Sequence, residues 1–250
     1  MISSKEIFLK WQGITETKVN LSPLKCLLLA IMAGMFIGFG GMGATLIQST
    51  AQGGLNKLLG ASVFPVGLMM VVMAGGELFT GNCLMVGQGL CGKAKWNGIL
   101  KNLVVAYIGN MIGAFLVSVL AACGGVLTGF SDGTAALAVK IAQNKTAMPF
   151  LDAMLKGIGC NILVCAAVWM ASGASSAISK AALCFFPVML FVLCGLEHSI
   201  ANMYYIPAGM LAGADVSLGA YLLRNLLPVT LGNILGGAGF AAMYTAVYHK

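Results

Sequence analysis

Glu77-Leu-Phe-Thr-Gly-Asn82 and Glu197-His-Ser-Ile-Ala-Asn202 are two windows set inside stretches that are otherwise almost wholly apolar. Each places an acid, a hydroxyl and an amide where hydrocarbon is expected. The second adds His198; the other histidine stands next to the C-terminus. Of the 250 residues, 59% are hydrophobic and 8% charged, and the mean hydropathy is +0.94, more apolar than a soluble core requires. The chain therefore reads as an all-α membrane protein. Ionisable groups are costly at membrane depth, so the two windows mark a pathway more readily than a packing detail.

Six hydrophobic segments, each of about the 20 residues or more that a bilayer core demands, lie near 24–47, 62–90, 98–127, 150–171, 181–212 and 218–248. The second and fifth are too long, and too polar at their centres, to be simple spans. Gly75, Gly76 and Gly81 bracket the first window, so helix breaks are expected in both. Backbone freed at that depth needs protein or a wet cavity to satisfy it. Glu77, Asn82, Glu197 and Asn202 are candidates for that support. Thr80 either bonds its own helix or faces the centre of the molecule. Imidazole exchanges protons near neutrality, so His198, beside Glu197, is the sharpest candidate for chemistry.

The two halves are related. Gly75, Glu77 and Asn82 recur 120 residues later as Gly195, Glu197 and Asn202, whereas Asn102, Leu103, Gly109, Asn110 and Gly113 recur 123 residues later as Asn225, Leu226, Gly232, Asn233 and Gly236. Lys101 is matched by Arg224. Three spans per half is an odd number, which predicts halves of opposite sense, a 3+3 inverted repeat whose site lies near the midplane. The expected organisation is one membrane domain over 1–250, with repeats at 24–127 and 150–248. Residues 1–21 are mixed polar and read as an interfacial amphipathic helix anchored by Ile7, Phe8 and Trp11, not as a cleavable signal. Glycines four apart, at 34 and 38, 109 and 113, and 232 and 236, suit closely packed membrane helices.

The net charge of +7 does not imply nucleic acid, because the basic residues are scattered one to three per hydrophilic gap. With the N-terminus inside, nine of them (Lys5, Lys10, Lys18, Lys25, Lys93, Lys95, Lys101, Lys180, Lys250) fall on the inner side and five (Lys57, Lys140, Lys145, Lys156, Arg224) on the outer. That balance favours both termini in the cytoplasm and a place in the plasma or inner membrane. The eight cysteines include no C-x-x-C pair, so they read as small reduced core residues, and neither metal nor cofactor is expected.

Leu78-Phe-Thr-Gly-Asn82, Gly159-Cys-Asn-Ile-Leu-Val-Cys-Ala-Ala-Val-Trp169, Glu197-His-Ser-Ile-Ala-Asn-Met203 and Leu231-Gly-Asn233 together resemble the signatures of the formate/nitrite transporter family. The resemblance covers essentially the whole chain. It implies an aquaporin-like protomer of six spans with the second and fifth interrupted, a homopentamer, and one pore per protomer. Its substrate would be a small monovalent anion, formate first and nitrite or hydrosulfide next, with lactate or acetate behind them, accompanied by protons. Carried over residue by residue, Thr80 and His198 would form the central pair and Asn161 would face the pore. Phe64, Leu68, Leu78, Phe79 and Phe191 would form the apolar constrictions, and Lys145 would stand at the outer vestibule. For the aromatic and leucine positions, ordinary helix packing is the competing reading.

Such a pore makes physical sense. An anion moved into a low-dielectric slit loses on the order of 20 kcal/mol of solvation in the idealised limit. A neutral small acid loses far less, so a basic vestibule that gathers anions and a central imidazole that supplies a proton or a strong hydrogen bond would pass the weak acid. Two other readings compete. A water or glycerol channel would share the fold, but the paired Asn-Pro-Ala is missing and Ile206-Pro-Ala208 does not replace it. An intramembrane enzyme could pair Cys194 with His198, although no orienting third group is evident.

Overall fold

The computed structural model describes residues 1–50, 53–131 and 133–249; Lys250, counted above among the inner charges, lies outside them. All regular structure among the described residues is helical. Helix α1 (Ser4–Val19) starts at a capping box in which Ser3 and Glu6 each accept from the other's backbone amide. The three residues expected to anchor it in a lipid interface pack on protein instead. Ile7, Phe8 and Trp11 are 1%, 6% and 2% exposed, packed with Leu84, Met85, Trp169 and Phe240. The Trp11 indole donates to Ser172 Oγ at 3.2 Å, a partner that lets the ring bury fully against protein.

Ser22 caps α2 (Pro23–Gln48), with Pro23 at the first helical position, where its missing amide costs nothing. Helices α3 (Gly54–Val63) and α4 (Val66–Ala74) follow on either side of Phe64-Pro65 and together make one apolar stretch of 21 residues. Gly75 then ends α4 at φ +85°, a conformation that favours glycine. Two short helices, α5 (Phe79–Asn82) and α6 (Met85–Leu90), lead to the 28-residue α7 (Trp96–Cys123). The remaining elements are α8 (Val126–Gly129), α9 (Thr134–Ala147), α10 (Phe150–Ser172), α11 (Ala177–Leu193), α12 (Ser199–Leu211), a π-helical turn (Ala220–Leu226) and α13 (Leu227–Tyr248).

Five stretches among the described residues are long and apolar enough to cross a bilayer: Pro23–Gln48, Gly54–Ala74, Trp96–Cys123, Phe150–Ser172 and Ala220–Tyr248. The segment expected near 181–212 is not one of them. Non-helical backbone from Gly195 to His198, with Gly195 at φ +66°, divides it into the 17-residue α11 and the 13-residue α12.

Backbone contact without side chains between joins α2 to α7 and α10 to α13. A Cβ added at Gly113 would overlap the Ile31 carbonyl, and one added at Gly236 would overlap the Ile158 carbonyl. Gly109 likewise lies against Ala30 and the Leu27 carbonyl of α2, and Gly232 against the Met154 carbonyl of α10. Between apolar helices, dispersion and shape must supply what water would otherwise drive, so such small residues are the packing determinant.

Candidate functional site

The non-helical stretches before α5 and before α12 are flanked by similar sets of bonds. At the first, Glu77 Oε1 takes the Lys18 ammonium at 2.6 Å, and its Oε2 accepts from Asn82 Nδ2 at 2.7 Å and Asn102 Nδ2 at 3.0 Å. At the second, both oxygens of Glu197 take Lys145, at 2.8 and 2.9 Å, and Oε2 accepts from Asn202 Nδ2 at 2.7 Å. Asn82 donates also to Asn102 Oδ1, and Asn202 to Asn225 Oδ1. Asn102 and Asn225 then donate to the carbonyls of Lys18 and Lys145. Each buried carboxylate thus has a lysine as counter-ion and an asparagine amide as hydrogen-bond donor, as burial of a charge requires.

A second pair of asparagines clamps the chain on either side of the residue that follows each glutamate. Asn110 Oδ1 accepts from the Phe79 amide at 2.9 Å while its Nδ2 donates to the carbonyls of Ala30 and Glu77. Asn233 does the same with the Ser199 amide and the carbonyls of Gly157 and Glu197. The residues so fixed are Leu78 and His198.

His198 caps α12: its Nδ1 accepts from the Ala201 amide at 3.1 Å. A donor can meet only an unprotonated ring nitrogen, so the neutral imidazole carries its hydrogen on Nε2. Nε2 lies 2.9 Å from Thr80 Oγ1. The ring therefore donates to the threonine, whose own hydroxyl hydrogen remains available.

Three cavities are lined by residues of the two non-helical stretches. One of about 360 Å³ is lined by Lys10, Trp11, Lys18, Glu77, Leu78 and Lys180 among others, and one of about 160 Å³ by Gln48, Phe64, Lys145, Phe191, Glu197, His198 and Tyr205 among others. Between them lies a chamber of about 10 Å³, room for roughly one water molecule, formed by Ile37, Phe64, Leu68, Leu78, Val164, Val188, Phe191 and His198. Leu78 is shared with the first cavity; Phe64, Phe191 and His198 are shared with the second. Phe64 meets Phe191 edge-on at 5.7 Å, and Phe191 stacks on the imidazole at 5.9 Å. The Lys145 ammonium lies 5.5 Å from the centre of the Tyr205 ring.

Four of the five expected constriction residues thus surround the chamber, and Phe79 does not. Its ring points the other way, edge-on to Tyr107 at 4.9 Å in an apolar groove with Trp96, Leu100 and Ile234. Leu78 is the extended N-cap residue of α5 and Phe79 the first helical one, and the two side chains leave the backbone in different directions. Thr80 and Asn161, both fully buried, line none of the three cavities. Asn161 Nδ2 instead donates to the carbonyls of Thr80 at 3.2 Å and Asn233 at 2.6 Å, tying the threonine to the clamp on the far side. No Cys194–His198 pair forms; Cys194 is exposed and both ring nitrogens are engaged elsewhere.

Sequence reasoning gave no role to Lys18, Asn102, Asn110, Asn225 or Asn233. The four asparagines were visible as repeat markers at an offset of 123. Lys18 precedes its counterpart Lys145 by 127, an offset also relating Ala30 to Gly157, which was the available signal.

The sequence model of the family described as "Formate/nitrite transporter" matches residues 5–247. This chain belongs to the formate/nitrite transporter family. A "Probable formate transporter" of Methanothermobacter thermautotrophicus is 38% identical over 95% of this chain and 94% of that protein. A solved structure described as "Pentameric formate channel with formate bound" is 35% identical, with a TM-score of 0.81 over 91% of this chain and 98% of that one. An "FNT family ion channel" superposes with a TM-score of 0.90 at 26% identity, covering 98% and 99%. An aquaglyceroporin from Plasmodium falciparum, at 12% identity and a TM-score of 0.50, is similar in fold alone. Formate/nitrite transporter membership and five apolar spanning stretches make the chain a multi-pass membrane channel protein.

Proposed function

We propose that this chain is a homopentameric channel, not an enzyme, that passes a small monovalent anion, formate in the first place, as or with its weak acid. The observation that carries the reading is the Thr80–His198 hydrogen bond of 2.9 Å beside a chamber otherwise walled by hydrocarbon. It is supported by relatives named for formate and by the formate-bound pentamer that this chain resembles. An anion gathered near Lys145 or Lys18 would be held out of the chamber by its desolvation cost. Next to His198 it would share the Nε2 hydrogen with Thr80 Oγ1, and the Thr80 hydroxyl, which accepts from the ring, would turn its own hydrogen toward the substrate. Phe64, Leu68, Leu78 and Phe191 would exclude larger species. Glu77, Asn82, Glu197 and Asn202 would keep the two breaks rigid, and Asn161 would position Thr80 without touching the substrate.

In this reading the protomer has six spans, the second and fifth broken, arranged as two inverted repeats of three about a pseudo-twofold axis in the membrane plane. It is a single domain over 1–250 in the plasma or inner membrane with both termini cytoplasmic. The matching bonds of the two breaks support it, and they carry the repeat outward to Lys18 and Lys145.

Nitrite and hydrosulfide share the charge and size that the chamber would accept, and parallel uptake separates them. Proteoliposomes would be offered formate, nitrite, hydrosulfide, acetate and lactate with internal pH recorded across about pH 5 to 8. Formate uptake with internal acidification, lost in His198→Phe while the pentamer persists, is the expected result. Equal pH dependence in wild type and His198→Phe would leave His198 a packing residue.

A further inference from the structure

The two mouths of the chain are alike in scaffold and unlike in charge. At the mouth near Glu197, one lysine faces one carboxylate, Lys145 against Glu197, and among the described residues no other lysine, arginine or acid lines the cavity. At the mouth near Glu77, three lysines (Lys10, Lys18 and Lys180) face the single carboxylate of Glu77. Only Lys18 is paired with it; among the described residues the ion pairs are Lys18–Glu77 and Lys145–Glu197. Lys10 donates at 2.7 Å to the Ser172 carbonyl, a neutral partner that anchors the ammonium and leaves its charge uncancelled. The repeat relation shows how the difference arises. With offsets of 127 and 120, Lys10 and Lys180 correspond to Leu137 and Gly60, neither of which carries charge.

We propose that Lys10 and Lys180 make the Glu77-side cavity an anion-collecting antechamber, so that the channel fills with anion from that face at lower concentration than from the other. The inference rests on the anion-channel reading above. Two uncancelled ammonium groups in a cleft with apolar walls focus the field and raise the local concentration of small oxyanions, an effect that salt weakens. A cavity of about 360 Å³ has room for a hydrated formate or a sulfate. A divalent oxyanion would be held there and could not go on, since its second charge adds to the cost of desolvation in the apolar chamber beyond and one proton would not neutralise it. Sulfate should therefore block from that face.

Passive flux at equal pH and zero voltage must show equal permeability in both directions at low concentration. Tighter collection at one mouth then appears as a half-saturation concentration and a maximal rate that are both lower from that face, in the same proportion.

The test uses the full chain in phosphatidylcholine vesicles, which present no anionic headgroup to the lysines, sorted for one insertion orientation. Initial formate fluxes are measured from each face, with sulfate or with chloride of matched ionic strength added to one side. Half-saturation from the Glu77 face is expected to be about 3- to 10-fold lower, with sulfate inhibiting there at correspondingly lower concentration. Lys10→Gln with Lys180→Gln should raise half-saturation and maximal rate together from that face, leave the opposite face unchanged, and abolish the sidedness of sulfate. Lys180→Gln alone keeps the Lys10 anchor and should give part of the effect, and Lys180→Arg should behave as wild type. Formate flux with equal half-saturation and equal sulfate block at both faces would overturn the proposal, as would a substitution that alters both faces alike. Absence of formate flux from either face would overturn the channel reading itself.

Discussion

Leu78 and His198 occupy the same place in the two halves, each one residue beyond the glutamate that holds its break, and both side chains wall one chamber. Thr80, in turn, has Ile200 as its counterpart, 120 residues on. Each half thus contributes one polar group where the other has hydrocarbon, and the 2.9 Å bond between them crosses the repeat.

Thr80→Ala removes that one bond and leaves both clamps in place. A neutral hydrogen bond is worth about 0.5–1.5 kcal/mol net, so formate flux should fall by roughly 2- to 13-fold, with Thr80→Ser recovering most of it. A loss as complete as that of His198→Phe, in a folded pentamer, would show that the hydroxyl does more than hold the ring.

Leu78→Ala should widen the chamber wall and admit larger monocarboxylates, with lactate against formate uptake as the readout. Phe79→Ala should leave that ratio unchanged, because its ring lies on Tyr107, away from the chamber. Its expected cost is stability, about 3–5 kcal/mol for a truncated buried phenylalanine, measured by thermal unfolding in detergent. A shift in size selectivity on Phe79→Ala would place it back at the constriction.

Lys145→Ala strips the partner from a carboxylate that is 4% exposed. Leaving Glu197 unpaired should cost about 3–5 kcal/mol. Adding Glu197→Gln should restore much of that, since a neutral amide needs no counter-ion. If the double variant were as unstable as the single, Glu197 would not be the group that Lys145 neutralises.

Gly236→Val should prevent the close approach of α13 to α10, because any side chain there meets the Ile158 carbonyl. Overpacking costs about 1–3 kcal/mol even where neighbours yield, and a backbone carbonyl yields least. Loss of folded protein on size-exclusion chromatography is expected, whereas Gly129→Ala, with open space around it, should be silent.

The polar markers were legible because hydrocarbon surrounds them: an asparagine in an apolar helix needs a partner, and its recurrence at a fixed offset names the partner's half. Asn102 and Asn225 illustrate this. What sequence did not disclose depends on direction and docking. Leu78 and Phe79 are neighbours of similar hydrophobicity, and only the turn of α5 sends one to the chamber and the other to Tyr107. Ile7, Phe8 and Trp11 fit a lipid interface and a protein groove equally well by composition; the choice is set by Trp169 and Phe240, more than 150 residues away. Lys18 was hidden for a related reason. Helices α1 and α9 hold equivalent lysines but few other common residues, so the repeat appeared to begin later than it does.

The chamber beside His198 has consequences beyond selectivity. A space for about one small molecule, walled by Ile37, Leu68, Val164 and Val188, gives water no continuous file of hydrogen-bonding partners. On the channel reading proposed above, solute that crosses would do so stripped of its shell. A membrane crowded with such chains would exchange metabolite without moving the accompanying volume of water, and a cell could leave them open under osmotic stress without swelling.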